Sequence, residues 1–152
     1  MKSAPAFSLK NQDSKMVSLS DYDGQWLLLY FYPKDDTPGC TKEACNFRDW
    51  KEYLAEKGLE VVGISKDSPQ SHSKFAQKHK LNFTLLSDPD AVVIKAYEAY
   101  GEKKMFGKTY LGIKRNSYLI DPKGQIVKSY LNVNPSKHIS EITKDFENFI
   151  QN

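Results

Sequence analysis

The residues with the clearest potential for chemistry are Cys40 and Cys45, the two cysteines of this 152-residue chain. Just before them, Thr37-Pro38 predicts the start of a helix, with threonine as the N-cap residue and proline as the first helical residue. Cys40 then lies in the first turn, where unbonded backbone N–H groups and the positive end of the helix dipole converge. Both favour the thiolate over the thiol, so the pattern predicts a nucleophile at Cys40.

A cation is needed near this sulfur, because Asp35 and Asp36 shortly precede Cys40 and nearby negative charge disfavours a thiolate. The 22 basic residues include two arginines, Arg48 and Arg115. Arginine offers a rigid planar fork of donors and a permanent charge, which lysine lacks. Arg115 lies at the start of a predicted strand and is the expected cation, whereas Arg48 is assigned no chemical role.

The spacing of Cys40 and Cys45 restricts what they can do together. Residues five apart on an intact helix have Cα atoms about 8–9 Å apart and point about 140° away from each other. A disulfide tolerates at most about 7 Å between Cα atoms. A bond between these sulfurs therefore requires the first helical turns to unwind, which is unsuited to a structural disulfide but compatible with a transient one.

Other interpretations of the cysteines stay open at this point. Cys40 and Cys45 could be two small buried hydrophobic residues, or they could bind zinc with His72 and His79, although six residues separate these histidines and zinc motifs have three to five. We expect His72, His79 and His138 to be solvated helix residues. A general dithiol oxidoreductase normally has two residues between its cysteines, and here there are four.

The elements that must position these residues alternate between strand and helix. Short apolar runs predict strands, while helical spacing, caps and stop signals predict helices. The predicted strands are Phe7–Leu9 with Met16–Leu19 as a hairpin, Trp26–Tyr32, Leu59–Ser65, Phe83–Leu86, Ser117–Ile120 and Gln125–Leu131. The predicted helices are Pro38–Lys57, Pro69–Lys80, Ala91–Tyr100 and a last helix with Ile139, Ile142, Phe146 and Phe149 on one face. Residues Gly101–Gly112 are expected to form a long surface loop, with Lys103, Lys104 and Lys108 on a solvated face.

This order predicts an α/β fold with a thioredoxin-like core, a central mixed β-sheet flanked by helices and an N-terminal hairpin extension. The chain length and a hydrophobic share of 39% predict one domain over residues 1–152. A net charge of +3 without a basic block gives no support to nucleic-acid binding. The longest apolar run, Trp26–Tyr32, is too short for a membrane span and Met1–Pro5 lacks the apolar stretch of a signal peptide, so we expect a cytoplasmic protein.

The segment around Cys40 resembles a known family. The pattern Pro33-x-x-x-Thr37-x-x-Cys40 resembles the active-site signature of the peroxiredoxins. Its continuation, Gly39-Cys40-Thr41-x-Glu43-Ala44-Cys45, is similar to the bacterioferritin-comigratory (Q-type) subfamily. The likeness covers nearly the whole chain, including residues 26–32 and 112–121.

The resemblance implies a role for each matching residue. Cys40 would be the peroxidatic cysteine, which attacks a peroxide oxygen and becomes a sulfenic acid. Thr37 would hydrogen-bond the peroxide and the sulfur, and Pro33 would shield the pocket from water. Arg115 would stabilise the thiolate and the charge on the leaving oxygen, while Glu43 would orient that arginine.

The resemblance also implies that Cys45 is the resolving cysteine, which forms an intramolecular disulfide with Cys40. The expected activity is the reduction of hydrogen peroxide and organic hydroperoxides, with recycling by thioredoxin or a similar dithiol. It implies a monomer without cofactor or metal. The alternative function is a thiol redox sensor or chaperone-like protein, in which the Cys40–Cys45 disulfide changes the binding partner.

Overall fold

The computed structural model describes residues 2–151, which contain ten strands and four α-helices. The strands are β1 (Lys2–Ser3), β2 (Ser8–Asn11), β3 (Met16–Ser18), β4 (Trp26–Phe31), β5 (Leu59–Ser65), β6 (Thr84–Ser87), β7 (Tyr100–Met105), β8 (Lys108–Ile113), β9 (Ser117–Ile120) and β10 (Gln125–Tyr130). The helices are α1 (Pro38–Glu56), α2 (Pro69–His79), α3 (Val92–Ala96) and α4 (His138–Ile150), with a 3-10 helix at Leu19–Tyr22. Within this range, no helix combines the length and apolar character needed to cross a bilayer.

Eight strands form one mixed sheet in the order β1-β10-β9-β4-β5-β6-β2-β3. Strands β4, β5 and β6 are parallel, whereas β9 pairs antiparallel with β4, in register from Leu27 opposite Ile120 to Tyr30 opposite Ser117. The predicted N-terminal hairpin is confirmed as β2 and β3, and it joins the sheet beside β6. The predicted mixed-sheet α/β fold is therefore confirmed.

The central strand β4 separates two apolar layers. Because successive side chains of a strand point to opposite faces, Leu28 and Tyr30 pack with α1, α2 and α4 on one side. Leu27 and Leu29 pack with α3 and the N-terminal hairpin on the other side. A strand covered on both faces needs a continuous apolar run, which explains why residues 26–31 lack polar alternation.

Helix α1 begins and ends where its sequence signals predict. Thr37 is the N-cap residue and Pro38 the first helical residue, while Gly58 adopts a φ of 91° just after the helix, a conformation that glycine tolerates and other residues resist. Phe47 and Leu54 are buried as expected. Trp50, expected on the same face, is 42% exposed and packs edge-on against Tyr53.

The segment Gly101–Gly112 is not a loop, and this prediction was wrong. Residues 100–113 form the two-stranded hairpin β7–β8, closed at Phe106 and Gly107 with φ values of 54° and 76°. Two successive positive φ values are typical of the tight turns that join antiparallel strands. The hairpin escaped prediction because phenylalanine replaces the usual Asn or Asp at the first turn position. It also lacks the apolar alternation of a half-buried strand.

The predicted helix Ala91–Tyr100 is shorter than expected. Helix α3 covers only Val92–Ala96, and Glu98 has a φ of 61° that leaves the helical conformation. Tyr100 already belongs to β7. The apolar residues after Ala96 are buried because the chain turns back towards the sheet, and not because they continue a helical face.

Candidate active site

The sulfur of Cys40 lies in the first turn of α1, and its side chain is only 1% exposed. It is a free thiol packed in the same apolar cluster as Tyr30, Tyr32 and Phe47. The Arg115 Nη2 atom donates a hydrogen bond to Cys40 Sγ over 3.2 Å. The structure therefore brings together the predicted nucleophile and the predicted cation, which are 75 residues apart in the chain.

Arg115 is held in place by the chain around it. It lies just before β9, and its carbonyl accepts a hydrogen bond from the Val133 N–H over 2.9 Å. The next residue, Asn116, is buried; its carbonyl accepts from the Phe31 N–H over 2.8 Å, and its Oδ1 accepts from the Asn132 N–H over 3.1 Å. These bonds fix the backbone from which the guanidinium extends. The sequence contained no signal for the role of Asn116, because its partners lie on other strands and loops.

Gly39 makes the approach of Arg115 to the sulfur sterically possible. A Cβ atom at this position would lie 2.7 Å from Arg115 Nη2 and 3.4 Å from Cζ. The shorter distance is below any ordinary contact, so a side chain here would displace the guanidinium. The requirement for glycine therefore comes from close approach and not from an unusual backbone conformation.

Glu43 lies one helical turn after Cys40 and contacts the same guanidinium. Its Oε1 accepts a hydrogen bond from Arg115 Nη1 over a long 3.4 Å, and its Oε2 has no partner among the described residues. Burial raises the pKa of Glu43 to about 7, while the charge and hydrogen bond of Arg115 act in the opposite direction. The guanidinium thus spans a carboxyl group and a sulfur, which is an arrangement that one planar fork can satisfy.

Thr37 and Pro33 border the site on its N-terminal side. The Thr37 hydroxyl donates to the Lys34 carbonyl over 2.9 Å, and it makes no capping bond to the first turn of α1. Thr37 is therefore the N-cap residue by position, but its side chain leaves the first N–H groups available to another acceptor. Pro33 is half-buried and follows directly after Tyr32.

The two aspartates that were expected to oppose a thiolate have their own partners on α2. Asp35 is buried, and its carboxylate accepts hydrogen bonds from the Tyr32 hydroxyl over 2.6 Å, the Ser71 hydroxyl over 2.8 Å and His72 Nδ1 over 2.7 Å. Sequence reasoning missed this network because its members come from separate elements. The negative charge is therefore directed towards α2 by hydrogen bonds.

Asp36 is exposed and also binds α2. Its two oxygens lie 2.7 Å from Lys78 Nζ and 3.0 Å from His79 Nε2. Hydrogen bonds from Lys78 and then His79 lower the pKa of Asp36. Its φ of 59° turns the chain so that the next residue, Thr37, begins α1.

The prediction that the histidines are solvated was wrong for His72 and His138. His72 is fully buried, and its ring nitrogens face Asp35 Oδ2 at 2.7 Å and the Leu86 carbonyl at 2.9 Å. His138 is 2% exposed, with Nε2 2.8 Å from Ser117 Oγ, and burial lowers its pKa to about 4. Both histidines lie at helix positions that face the sheet. An isolated histidine in the sequence does not indicate which face of a helix it occupies.

A zinc site formed by the cysteines and histidines finds no geometric support. Within residues 2–151, the group close enough to share a metal ion consists of Asp35, Asp67 and His72, and it includes no cysteine. Asp67 Oδ2 in this group already accepts from the Asp35 N–H over 2.9 Å and from the Ser65 hydroxyl over 2.7 Å. These atoms serve one another as hydrogen-bond partners.

Lys103 of the β7–β8 hairpin lies on the side of the hairpin near the site. It is half-buried, whereas the sequence predicted a solvated lysine. Its Nζ donates to the Ile113 carbonyl over 2.8 Å. Burial and, to a smaller extent, the positive charge of Arg115 lower the pKa of Lys103. The hairpin thus places a lysine near enough to Arg115 for their positive charges to interact.

Cys45 lies on α1, half-buried and, like Cys40, a free thiol. Helix α1 is continuous from Pro38 to Glu56, so the two cysteines sit on an intact helix. Because their spacing prevents a bond in this form, the structure corresponds to the wound, reduced state of the segment.

Comparison with known proteins agrees with this geometry. The AhpC/TSA family model matches residues 1–129. A putative peroxiredoxin Bcp of Coxiella burnetii is 49% identical over 139 residues, which cover 91% of this chain and 92% of the relative. Peroxiredoxin Bcp of Escherichia coli is 50% identical over 135 residues, covering 89% and 86% of the two chains.

Solved structures show the same likeness. The bacterioferritin comigratory protein of Xanthomonas campestris has a TM-score of 0.89 at 34% identity, covering 94% of this chain and 91% of that chain. PrxQ of Xylella fastidiosa has a TM-score of 0.91 at 34% identity, covering 99% and 98%. These neighbours confirm the thioredoxin-like fold. The chain therefore belongs to the AhpC/TSA family and, within it, to the Bcp or Q-type peroxiredoxins, a membership that supports thiol peroxidase activity.

Proposed function

We propose that this peroxiredoxin is an atypical two-cysteine peroxidase, in which Cys40 attacks the peroxide and Cys45 resolves the product within the same chain. The observation that carries the proposal is the hydrogen bond of 3.2 Å from Arg115 Nη2 to the buried Cys40 Sγ at the start of α1. A cation and a helix N-terminus that both face one sulfur favour the thiolate, which is the attacking form.

In the first step, the Cys40 thiolate attacks the terminal oxygen of a hydroperoxide. The S–O bond forms and the O–O bond breaks, so the sulfur is oxidised to a sulfenic acid while the other oxygen leaves as an alkoxide or hydroxide and takes a proton from water. Arg115 stabilises the sulfur and the developing charge on the leaving oxygen. Its contact with Glu43 of 3.4 Å keeps the fork pointed at the sulfur.

Thr37 and Pro33 serve the same step. The Thr37 hydroxyl donates a hydrogen bond to the Lys34 carbonyl, so its oxygen is free to accept a hydrogen bond from the peroxide. The uncapped N–H groups of the first turn donate to the peroxide oxygens. Pro33 limits the access of water to the sulfur, which strengthens these electrostatic interactions.

In the second step, the Cys45 thiolate attacks the sulfur of the Cys40 sulfenic acid. The S–S bond forms, the S–O bond breaks, and hydroxide leaves and is protonated to water. The first turns of α1 unwind to allow the approach, because the wound helix keeps the two sulfurs apart. A dithiol protein such as thioredoxin then reduces the disulfide by thiol–disulfide exchange.

The substrates include hydrogen peroxide and organic hydroperoxides. The related protein of Xanthomonas campestris has alkyl peroxide reduction activity, which supports the organic substrates. We further propose a single domain over residues 1–152 that acts as a monomer in the cytoplasm, where reducing conditions return a transient disulfide to thiols.

Stopped-flow mixing with hydrogen peroxide tests the proposal. We expect fast oxidation of the wild-type protein, no turnover of Cys40→Ser, and a single fast oxidation of Cys45→Ser that then stalls as a sulfenic acid. Mass spectrometry identifies the stalled product. Wild-type oxidation at the rate of an ordinary thiol would overturn the peroxidase proposal and favour the redox sensor. Sustained thioredoxin-dependent turnover by Cys45→Ser would overturn the resolving role of Cys45 alone.

A further inference from the structure

Arg48, the second arginine of the chain, has contacts that the peroxidase mechanism does not use. Its Nη1 donates to the carbonyl of His79, the last residue of α2, over 2.7 Å. Nε and Nη2 both bind Asp49 Oδ1, at 3.0 and 2.9 Å. Its own carbonyl accepts from Asn82 Nδ2 over 3.2 Å. Arg48 therefore attaches the middle of α1 to the C-terminal end of α2.

The same end of α2 also holds the chain before α1. His79 Nε2 binds Asp36 Oδ1 at 3.0 Å, so one residue contacts Asp36 through its ring and Arg48 through its carbonyl. Lys78 adds a bond of 2.7 Å to Asp36, and Asp35 is anchored further along α2 by His72. Helix α2 thus contacts the chain on both sides of residues 37–47.

Residues 37–47 are the segment that must change conformation, because they contain both cysteines. Several of their side-chain polar contacts are made to elements other than α2. Arg115 binds Cys40 and Glu43, and Asn46 Nδ2 donates to the Pro135 carbonyl over 3.3 Å. The bonds that break when this segment rearranges are therefore different from the bonds that hold its two ends.

We propose that Arg48 is a positioning residue for disulfide formation, which fixes the far end of the unwinding segment to α2 so that only residues 37–47 rearrange. This inference rests on the proposed Cys40–Cys45 disulfide. The near end is fixed by Asp35 and Asp36, and the far end by the bond from Arg48 to the His79 carbonyl. Two fixed ends keep Cys45 close to Cys40 and preserve the helical turns that bury Leu54.

The physical reason for such a boundary is the cost of unwinding. Unwinding of residues 37–47 already gives up backbone hydrogen bonds and the packing of the buried Phe47, and unwinding past Arg48 would add the loss of the fully buried Leu54. A hydrogen bond from a charged donor to a carbonyl at the C-terminal end of a helix is strong, and the helix dipole favours a positive charge at that end. It therefore resists the spread of unwinding where a neutral side chain would not.

Hydrogen exchange measured by mass spectrometry locates the boundary. Reduced protein is compared with protein oxidised by one equivalent of hydrogen peroxide, for wild type, Arg48→Met, Arg48→Lys and Asn82→Ala. Lys51→Met is the matched control, because it removes another ion pair of α1, the contact of 3.1 Å to Glu60. Peroxide oxidation of Cys40 in these variants is expected at the wild-type rate, since none of the replaced side chains contacts Cys40 or Arg115.

We expect oxidation of the wild type to accelerate exchange within residues 38–47 and to leave residues 49–56 protected. In oxidised Arg48→Met, exchange in residues 49–56 should rise by about tenfold, the factor that a charge-assisted hydrogen bond supplies. Arg48→Lys should restore protection, because one ammonium donor can still bind the His79 carbonyl. Asn82→Ala should show a smaller increase, and Lys51→Met none. The reduced forms should all match the wild type.

The outcomes separate the two proposals. If the disulfide forms but residues 49–56 exchange equally in oxidised wild type and Arg48→Met, the role of Arg48 is refuted and the peroxidase mechanism stands. The same conclusion follows if wild-type unwinding passes Arg48, or if the Lys51→Met control behaves like Arg48→Met. If no Cys40–Cys45 disulfide forms on oxidation, the resolving step and the boundary are both refuted.

Discussion

Replacing Gly39 by alanine is the sharpest test of the contact between Arg115 and Cys40. The added methyl group would lie 2.7 Å from Arg115 Nη2, whereas ordinary contacts begin at 3.4 Å. The guanidinium must therefore retreat by about 0.7 Å, because the helix backbone that carries the methyl group is the stiffer partner. The substitution changes the distance between two reacting groups without removing either of them.

The size of the effect follows from that displacement. Lengthening the contact from 3.2 Å to about 3.9 Å at an effective dielectric constant of 20 removes about 1 kcal/mol of Coulomb attraction. Loss of the charge-assisted hydrogen bond costs about 1.5–3 kcal/mol and partly includes this amount. A total of about 2–3 kcal/mol corresponds to a decrease of about 30- to 150-fold in the rate of peroxide attack.

Stability should change in the opposite direction. Alanine has a higher helix propensity than glycine, so the free energy of unfolding of Gly39→Ala should stay constant or rise by up to about 1 kcal/mol. Stopped-flow oxidation under single-turnover conditions gives the rate, and urea denaturation gives the stability. A variant that oxidises slowly but unfolds with the wild-type free energy would show that the loss of peroxide reactivity is local to the site.

A double-mutant cycle completes the test. In an Arg115→Met background, Gly39→Ala should have no further effect on the rate, because the methyl group acts only through the guanidinium. Oxidation of Gly39→Ala within threefold of the wild-type rate would show that the close approach of Arg115 to Gly39 does not control the reaction. Additive slowing by the two substitutions would show that Gly39 acts through a group other than Arg115.

Three further predictions follow from the same contacts. Arg115→Lys should slow peroxide attack by about 10²–10³-fold in stopped-flow measurements, because a compact ammonium lacks the planar fork whose two Nη atoms separately reach Glu43 and the sulfur; an unchanged rate would assign Arg115 another role. The pKa of about 7 at buried Glu43 exceeds that of the unfolded chain, so the folded state holds the extra proton and stability falls as pH rises from about 5 to 8. Urea denaturation should show that the free energy of unfolding of the wild type falls by up to about 3 kcal/mol across this range, whereas that of Glu43→Gln does not. An identical pH dependence in both proteins would contradict this. His72→Leu should lower the free energy of unfolding by about 3–5 kcal/mol, because Asp35 is left buried without its ring partner; a loss below about 1 kcal/mol would show that the pair is dispensable.

The fold was predictable wherever a local signal determines an element. Thr37-Pro38 and Gly58 define both ends of α1, and the run from Trp26 to Phe31 defines a strand buried on both faces. The hairpin at 100–113 lacked such a signal, because its strands are largely exposed and carry no apolar face. Its turn depends on a positive φ at Phe106, which the residue type does not favour.

The candidate site was predictable in its reacting groups and not in their surroundings. The helix start identifies Cys40, and the scarcity of arginine identifies Arg115. The network of Asp35 with Tyr32 and His72 was not predictable, since it depends on which face of α2 turns towards the loop before α1. Local sequence shows that a charge is present but not which partner neutralises it.

The arrangement also explains how one segment can be ordered for peroxide attack and still be released afterwards. Among the groups that hold residues 37–47 in the wound form, Arg115 acts through the Cys40 sulfur, which oxidation converts to a sulfenic acid, and through Glu43, with which its hydrogen bond is long. Glu43 makes one long hydrogen bond, leaves its other oxygen without a described partner, and has its pKa raised by burial, so its ionised form is costly in place. Unwinding returns this carboxylate to water, and that gain offsets part of the helical hydrogen bonds that are lost. Since α2 keeps its own bonds to both flanks, the free energy of burying Glu43 favours release of the segment that carries Cys45, without weakening the rest of the fold.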